Sequence, residues 1–193
     1  RILSSAASDV YKRQVICGFG RTGNVWGADT FNMKPVSITV AKALSSSYLP
    51  ISAVIISDDC YDIVANKSDE LGIFGHGYTY SGIPVAVSAA IAVQKIFEKE
   101  DIFNRVKKLS KYFEDGLHSL RDLSCVDSIR NYGLLGGIDI SLRDKPGKAG
   151  FDVYKKCYDA GVNIKPTGDA LIIAPPFICE KKDIDEIIDK MRK

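Results

Sequence analysis

The sequence lacks any pair of cysteines at CxxC spacing. Its five cysteines (Cys17, Cys60, Cys125, Cys157 and Cys179) are odd in number and widely separated. Such spacing builds neither a disulfide framework nor a zinc site, so no metal centre is expected and a reducing cytoplasm is the expected setting. An excess of one charge is missing too. A net charge of +2 over 193 residues makes no case for a nucleic-acid partner. The modest basic run at the C-terminal end reads as a solvated helix face. No apolar run approaches the length needed to cross a bilayer, so no membrane partner is expected. The apolar stretch at the start is only Ile2-Leu3, so residues 1–14 do not resemble a secretory signal. Internal repeats and low-complexity segments are absent. What is present is the composition of an ordinary globular protein, 46% hydrophobic and 26% charged. The length suits one generous domain or two small ones.

Residues 1–14, RILSSAASDVYKRQ, show neither helical nor strand periodicity. They read as a foreign or disordered leader joined to a truncated protein, because Val15-Ile16-Cys17 begins as if in mid-strand. Residues 37–40 and 53–57 are short, apolar strand candidates of the kind covered on both faces. Asp58 and Asp59 are N-cap candidates for a short helix through Ala65, followed by a polar loop with Asn66, Lys67 and Ser68. From Pro84 a long Ala-rich helix is expected, with proline in its first turn. A second helix over 102–120 follows from the spacing of Ile102, Val106, Leu109, Phe113 and Leu117. Beyond it, strands are expected over 125–130 and 134–141, with a turn at Asn131-Tyr132-Gly133. A helix over 151–160 is closed by Gly161. Strands over 162–165 and 170–174 flank Pro166-Thr167-Gly168-Asp169, and Ile184, Ile187, Ile188 and Met191 give one apolar face to a last helix. Residues 15–97 therefore read as part of an α/β sheet domain, and 98–193 as a smaller α+β domain.

Three segments carry candidate chemistry. Lys42 ends the β-branched run Ser37-Ile38-Thr39-Val40-Ala41 and opens a Ser-rich loop. Desolvation of its ammonium in an apolar setting would free the amine for attack on a carbonyl. Residues Gly18, Gly20 and Gly23 match the dinucleotide fingerprint G-x-G-x-x-G literally. That fingerprint needs a helix to start at the glycines and an acid at the end of the next strand. Neither follows here, since the next strand ends at Lys42, so a structural glycine turn is the stronger reading. The 75–82 segment, within the run from Phe74 to Pro84, offers through its Gly, Ser and Thr content backbone N–H groups and a hydroxyl suited to a phosphate. His76 alone reads as an ordinary turn or core histidine, and Thr79 between two tyrosines as strand filling.

Taken together, these stretches resemble the class-III pyridoxal-phosphate aminotransferases. The resemblance is carried by VICGFGRTG at 15–23, ITVAKALSSSYLPISA at 38–53, FGHGYTYSGIPVAVSAA at 74–90 and GVNIKPTGDALIIAPPF at 161–177. The wording Ser47-Tyr48-Leu49-Pro50-Ile51-Ser52-Ala53 is similar to the ω-amino acid:pyruvate branch. The resemblance implies an α/β, aspartate-aminotransferase-like fold (fold type I), here a partial large domain plus the C-terminal small domain. It implies pyridoxal 5'-phosphate as cofactor, and amino transfer from a primary amine or ω-amino acid to a keto acid, with pyruvate expected, by a ping-pong Schiff-base scheme. By the same resemblance Lys42 matches the lysine that bonds the cofactor and shuttles the proton. Thr79 matches the threonine that reaches the cofactor phosphate from a neighbouring subunit, which implies a homodimer with shared sites. Lys165 stands where the family usually has an arginine for the substrate carboxylate; it keeps the charge but loses the planar fork.

The sequence departs from the family just before Val15. An Asp-Glu pair is usual there, its Asp set against the pyridine nitrogen, whereas Arg13 and Gln14 occupy those positions. The upstream part of the large domain, with its phosphate loop and ring-stacking aromatic, is missing. Ile83 and Val36 replace a usual His and Asp. A chain so truncated is expected to be inactive alone and to expose apolar strand edges. Three alternatives stay open: a same-family aminomutase, a catalytically dead dimerisation or interaction module, and a nucleotide-binding domain.

Overall fold

The computed structural model describes residues 11–141 and 145–193. They form two compact units. One comprises the described chain through Gly20 together with Asn24–Asp101, and the other Arg21–Gly23 together with Ile102–Lys193. Residues 1–10 of the expected leader lie outside the described residues.

The first unit is built on a three-stranded sheet of order β1-β2-β3, with β1 at Tyr11–Arg13, β2 at Ser37–Val40 and β3 at Ala53–Ile56. β1 runs parallel to β2, with Tyr11, Lys12 and Arg13 opposite Ser37, Ile38 and Thr39. β3 runs antiparallel, with Val40 opposite Ala53. The strand in this region is therefore Tyr11–Arg13, inside the stretch read as patternless, while Val15-Ile16-Cys17 lies in a turn rather than in mid-strand. Pairing rescues a segment without periodicity: Gln14 N–H extends the ladder to Thr39 O at 2.8 Å. The expectation of strands covered on both faces is also corrected, because β3 is exposed along its whole length, with Val54 at 64%.

Among the described residues, three helices and one 3-10 turn complete this unit. α1 spans Gly27–Thr30, and a 3-10 turn spans Lys42–Leu44. α2 spans Asp58–Leu71. Its N-cap is Ser57, whose Oγ accepts from Cys60 N at 3.4 Å, and not Asp58 or Asp59. Those two acids sit in the first turn, where they favour the helix dipole. The helix continues through the expected loop at Asn66, Lys67 and Ser68, and Gly72, at φ 89°, stops it by donating to Ser68 O. Ser68 Oγ donates back to Val64 O at 2.8 Å, and Lys67 pairs with Glu70. α3 spans Pro84–Lys99, with proline in the first turn and Ala86, Ala90, Val93 and Phe97 buried along one face.

The second unit has a four-stranded antiparallel sheet of order β4-β5-β7-β6: β4 at Val126–Tyr132, β5 at Leu135–Ile140, β6 at Lys165–Thr167 and β7 at Ala170–Ile173. α4 at Ile102–His118, α5 at Lys148–Asp159 and α6 at Lys181–Arg192 belong to it. Its core joins Val106, Phe113 and Leu117 of α4 to Ile129, Ile138 and Leu171 of the sheet and Ile184 and Ile188 of α6. Residues 162–164 form no strand; β6 begins only at Lys165. Val162 and Ile164 are instead buried, and Val162 N donates to Cys157 O at 2.8 Å after Gly161 turns the chain at φ 87°.

Candidate active site

Lys42 opens its 3-10 turn directly after β2 and Ala41, with a backbone φ of 52°. A lysine in the left-handed region is sterically disfavoured and is held there by its surroundings. Leu44 N donates to Ala41 O at 3.1 Å and Ser45 N to Lys42 O at 3.2 Å, closing the turn. Gln94 of α3 reaches the same turn, its Nε2 donating to Leu44 O at 3.0 Å and to Ala43 O at 3.3 Å. Downstream, the 2% exposed Ser45 donates through Oγ to Leu49 O at 2.7 Å, fixing the loop that contains left-handed Ser46 and Ser47. The backbone is thus well tied, but the side chain is not sequestered. Lys42 is exposed, and its Nζ has no hydrogen-bond or ion-pair partner among the described residues. The expected desolvation of this amine is not supplied by this unit.

Thr79 lies in the turn from Thr79 to Gly82 and not in a strand, so its reading as strand filling is corrected. Ser81 N donates to Tyr78 O at 2.9 Å and Gly82 takes φ 65°. The segment 72–83 is exposed throughout, Ile73 reaching 95%. His76 packs between the rings of Phe74 and Tyr78, at centroid distances of 5.9 and 5.2 Å. It is neither a core residue nor close to a metal set, since no group of His, Cys, Asp and Glu suited to a metal occurs among the described residues.

The glycine motif is structural. The N–H groups of Gly18 and Phe19 are spent on Gln14 O and Val25 O, at 2.9 and 2.6 Å, so they do not form an anion cradle. A Cβ on Gly18 would lie 2.6 Å from Gln14 O, and one on Gly23, at φ 89°, would lie 2.7 Å from Lys107 Cγ. Arg21, between these glycines, belongs to the second unit. Its Nη1 donates to Leu134 O at 2.9 Å and Pro175 O at 2.7 Å, and its guanidinium lies 4.4 Å from the Phe177 ring centre. Gly133, at φ 55°, lets the β4–β5 turn approach Arg21 O, where any Cβ would overlap it. Gln14, one of the two residues standing in for the family's acidic pair, is 5% exposed, and its Oε1 accepts from Gly27 N at 3.0 Å.

Lys165 is the exposed first residue of β6, opposite Ile172 of β7, and makes no ion pair among the described residues. The β6–β7 turn that follows is fixed by Asp169. Its Oδ2 accepts from Gly147 N at 2.6 Å and Oδ1 from Gly150 N at 3.0 Å, tying the hairpin to the start of α5. These N–H groups hold its carboxyl below the usual range. A cleft of about 290 Å³ lies beside this hairpin between Val162, Pro175 and Ile187. Its charges are engaged within α6: Glu186 pairs with Lys190 at 2.6 Å, and Asp183 accepts from Glu180 N at 2.7 Å. Burial pushes the thiols of Cys157 and Cys179 up, away from the reactive thiolate.

Lys42 and Thr79 thus lie in the first unit and Lys165 in the second. Gln94, Asp169 and Arg21, which shape these segments, carry no sequence signal of their own, because each acts by bonding backbone far away along the chain.

Residues 14–193 match the class-III aminotransferase family. The chain belongs to that family. It is 38% identical over 187 residues to gamma aminobutyrate transaminase 3, chloroplastic, of Solanum lycopersicum, a match covering 93% of this chain and 36% of the relative. The omega-aminotransferase of Caulobacter vibrioides is 36% identical over 181 residues, covering 93% of this chain and 41% of the relative. Among solved structures, a transaminase with L-ala superposes with a TM-score of 0.89 at 34% identity, over 94% of this chain and 44% of that one. The omega transaminase from Pseudomonas jessenii in complex with PMP gives 0.90 at 31% identity, over 94% and 42%. The architecture is accordingly part of an α/β, fold type I transaminase. The chain spans well under half the length of these relatives.

Proposed function

We propose that the full-length protein is a pyridoxal-phosphate-dependent transaminase. It would move an amino group from a primary amine or ω-amino acid to a keto acid, with pyruvate as the expected acceptor, in a ping-pong scheme. The observation that carries this is Lys42: an exposed amine, set by a tied and left-handed turn at the end of β2, at the position where the family has its cofactor lysine. Pyridoxal phosphate, when bound, supplies an electron sink for the carbanion left at the substrate carbon. The residues of this chain do the rest. Nζ of Lys42 would hold the cofactor, and as a free neutral amine it would serve as the base that accepts the proton leaving the substrate carbon. The hydroxyl of Thr79, on an exposed turn, suits a phosphate carried by a second copy, which supports a homodimer with shared sites. Lys165 suits the carboxylate of the keto acid. The five free cysteines support a reducing compartment such as the cytoplasm.

One position does not fit the cofactor. Arg13, in β1 opposite Thr39, stands where the resemblance puts the Asp set against the pyridine nitrogen, and an arginine has no carboxylate to offer a protonated ring nitrogen. That observation favours a second reading, an interaction module that has kept the fold without the reaction. The two are separated by mixing the full-length protein with pyridoxal phosphate and recording the visible band before and after borohydride. A band lost on reduction, with a mass tag on Lys42 that Lys42→Ala removes, supports the transaminase. No band and no tag would establish the inert module.

A further inference from the structure

We propose that Gln94 is a positioning residue for Lys42. This rests on the role given to Lys42 above and adds to it the group that sets its backbone. Among the described residues no backbone N–H reaches the carbonyls of Ala43 and Leu44, since the two N–H bonds of the 3-10 turn at Lys42–Leu44 go to Ala41 O and Lys42 O. Both carbonyls are met by a single side-chain amide: the two hydrogens of Gln94 Nε2 go to Leu44 O at 3.0 Å and Ala43 O at 3.3 Å. Gln94 is half-buried on α3, one position beyond the buried Val93, so its own placement is fixed by the helix face that packs inward. The turn it grips holds Lys42 at φ 52°. Left to itself, a lysine would relax from that region to negative φ, swinging the Cα–Cβ bond and with it Nζ. Fifty residues separate Gln94 from the Leu44 carbonyl that it bonds, and its long side chain spans to the turn from the helix. Its chemistry is that of a clamp on two carbonyl oxygens.

The test uses the full-length protein carrying Gln94→Ala and the near-isosteric Gln94→Glu. The second keeps the shape but sets a carboxylate against the two carbonyls. Four quantities are read: kcat and KM for the amine donor, the rate at which borohydride fixes pyridoxal phosphate to Lys42, amide exchange at Leu44 and Ser45, and the melting temperature. Loss of a net hydrogen bond predicts kcat and labelling lower by about tenfold in Gln94→Ala, with donor KM unchanged and faster exchange at both amides. Gln94→Glu should fall further than Gln94→Ala. A melting temperature that drops while kcat, labelling and exchange at the turn stay as in the parent would overturn the proposal, leaving Gln94 a packing residue. Should Gln94→Ala fail to fold, the same four readings on Gln94→Glu decide. If the parent itself never labels at Lys42, it is the function of Lys42 that has failed, a result distinct from a clamp that does not matter.

Discussion

Gly136 and Leu117 form a hole and its knob, and a pair of substitutions should expose their coupling. Leu117 of α4 is fully buried, at 0% exposure, against β5. A Cβ on Gly136 would overlap Leu117 Cδ2 and come within 3.3 Å of Phe113 Cζ. Gly136→Ala therefore inserts a methyl where a leucine methyl already sits, at a cost of about 1–3 kcal/mol for overpacking. Part of that, about 0.4–1 kcal/mol, is returned because alanine narrows the unfolded ensemble. Leu117→Ala alone removes buried methyl groups and leaves a cavity, costing about 2–5 kcal/mol. In the double variant the new methyl at 136 enters the space that Leu117 vacates, so the clash disappears and the cavity shrinks. The double should be more stable than the sum of the singles by about 1–2 kcal/mol, beyond the scatter expected of independent sites. Urea titration followed by far-UV circular dichroism gives the free energies, and amide exchange at Ile138 and Leu171 reports the same core locally. Additivity to within about 0.5 kcal/mol would refute the close approach of these two residues.

Two further outcomes are expected. Asp169 has a folded-state carboxyl held below its ordinary value, by Gly147 N first and Gly150 N next. Its stabilisation is therefore complete above the unfolded carboxylate value, about 3.9, and is lost as pH falls through the lower folded value. Asp169→Asn should be less stable than the parent near neutrality, with the gap closing in acid; thermal melts from pH 7 down to 2 check this, and a constant gap would remove the carboxylate from the account. On the proposed reading, Lys165→Arg should lower the KM of the full-length protein for a keto acid several-fold by supplying a two-pronged contact. Steady-state kinetics showing an unchanged or higher KM would take Lys165 out of the site.

The helices of the second half are legible in the sequence because their apolar spacing matches a face that is in fact buried: Ile102, Val106, Phe113 and Leu117 on α4, Ile184 and Ile188 on α6. β2 is legible from Ile38, Thr39 and Val40, which suit a pleated strand. The elements that escape are those fixed by partners rather than pattern. β1 exists through its parallel ladder to β2, and α2 outruns its expected end because Ser68 and Lys67 find bonds along the helix. Residues 162–164 look like a strand because Val162 and Ile164 alternate with Asn163, yet burial and not pairing makes those two apolar. At the candidate site the lysine itself is legible, whereas its exposure and the amide of Gln94 are not, since both depend on which side chains fold back onto a turn.

The sequence has a single tryptophan, and it lies in the first unit. Trp26 precedes α1, its ring 4.9 Å from that of Phe19. Its emission is a built-in optical label for opening of the aromatic pair that it forms with Phe19 in the first unit. A fluorescence trace recorded beside a dichroism trace follows that opening alongside the loss of helix and sheet, without any added dye.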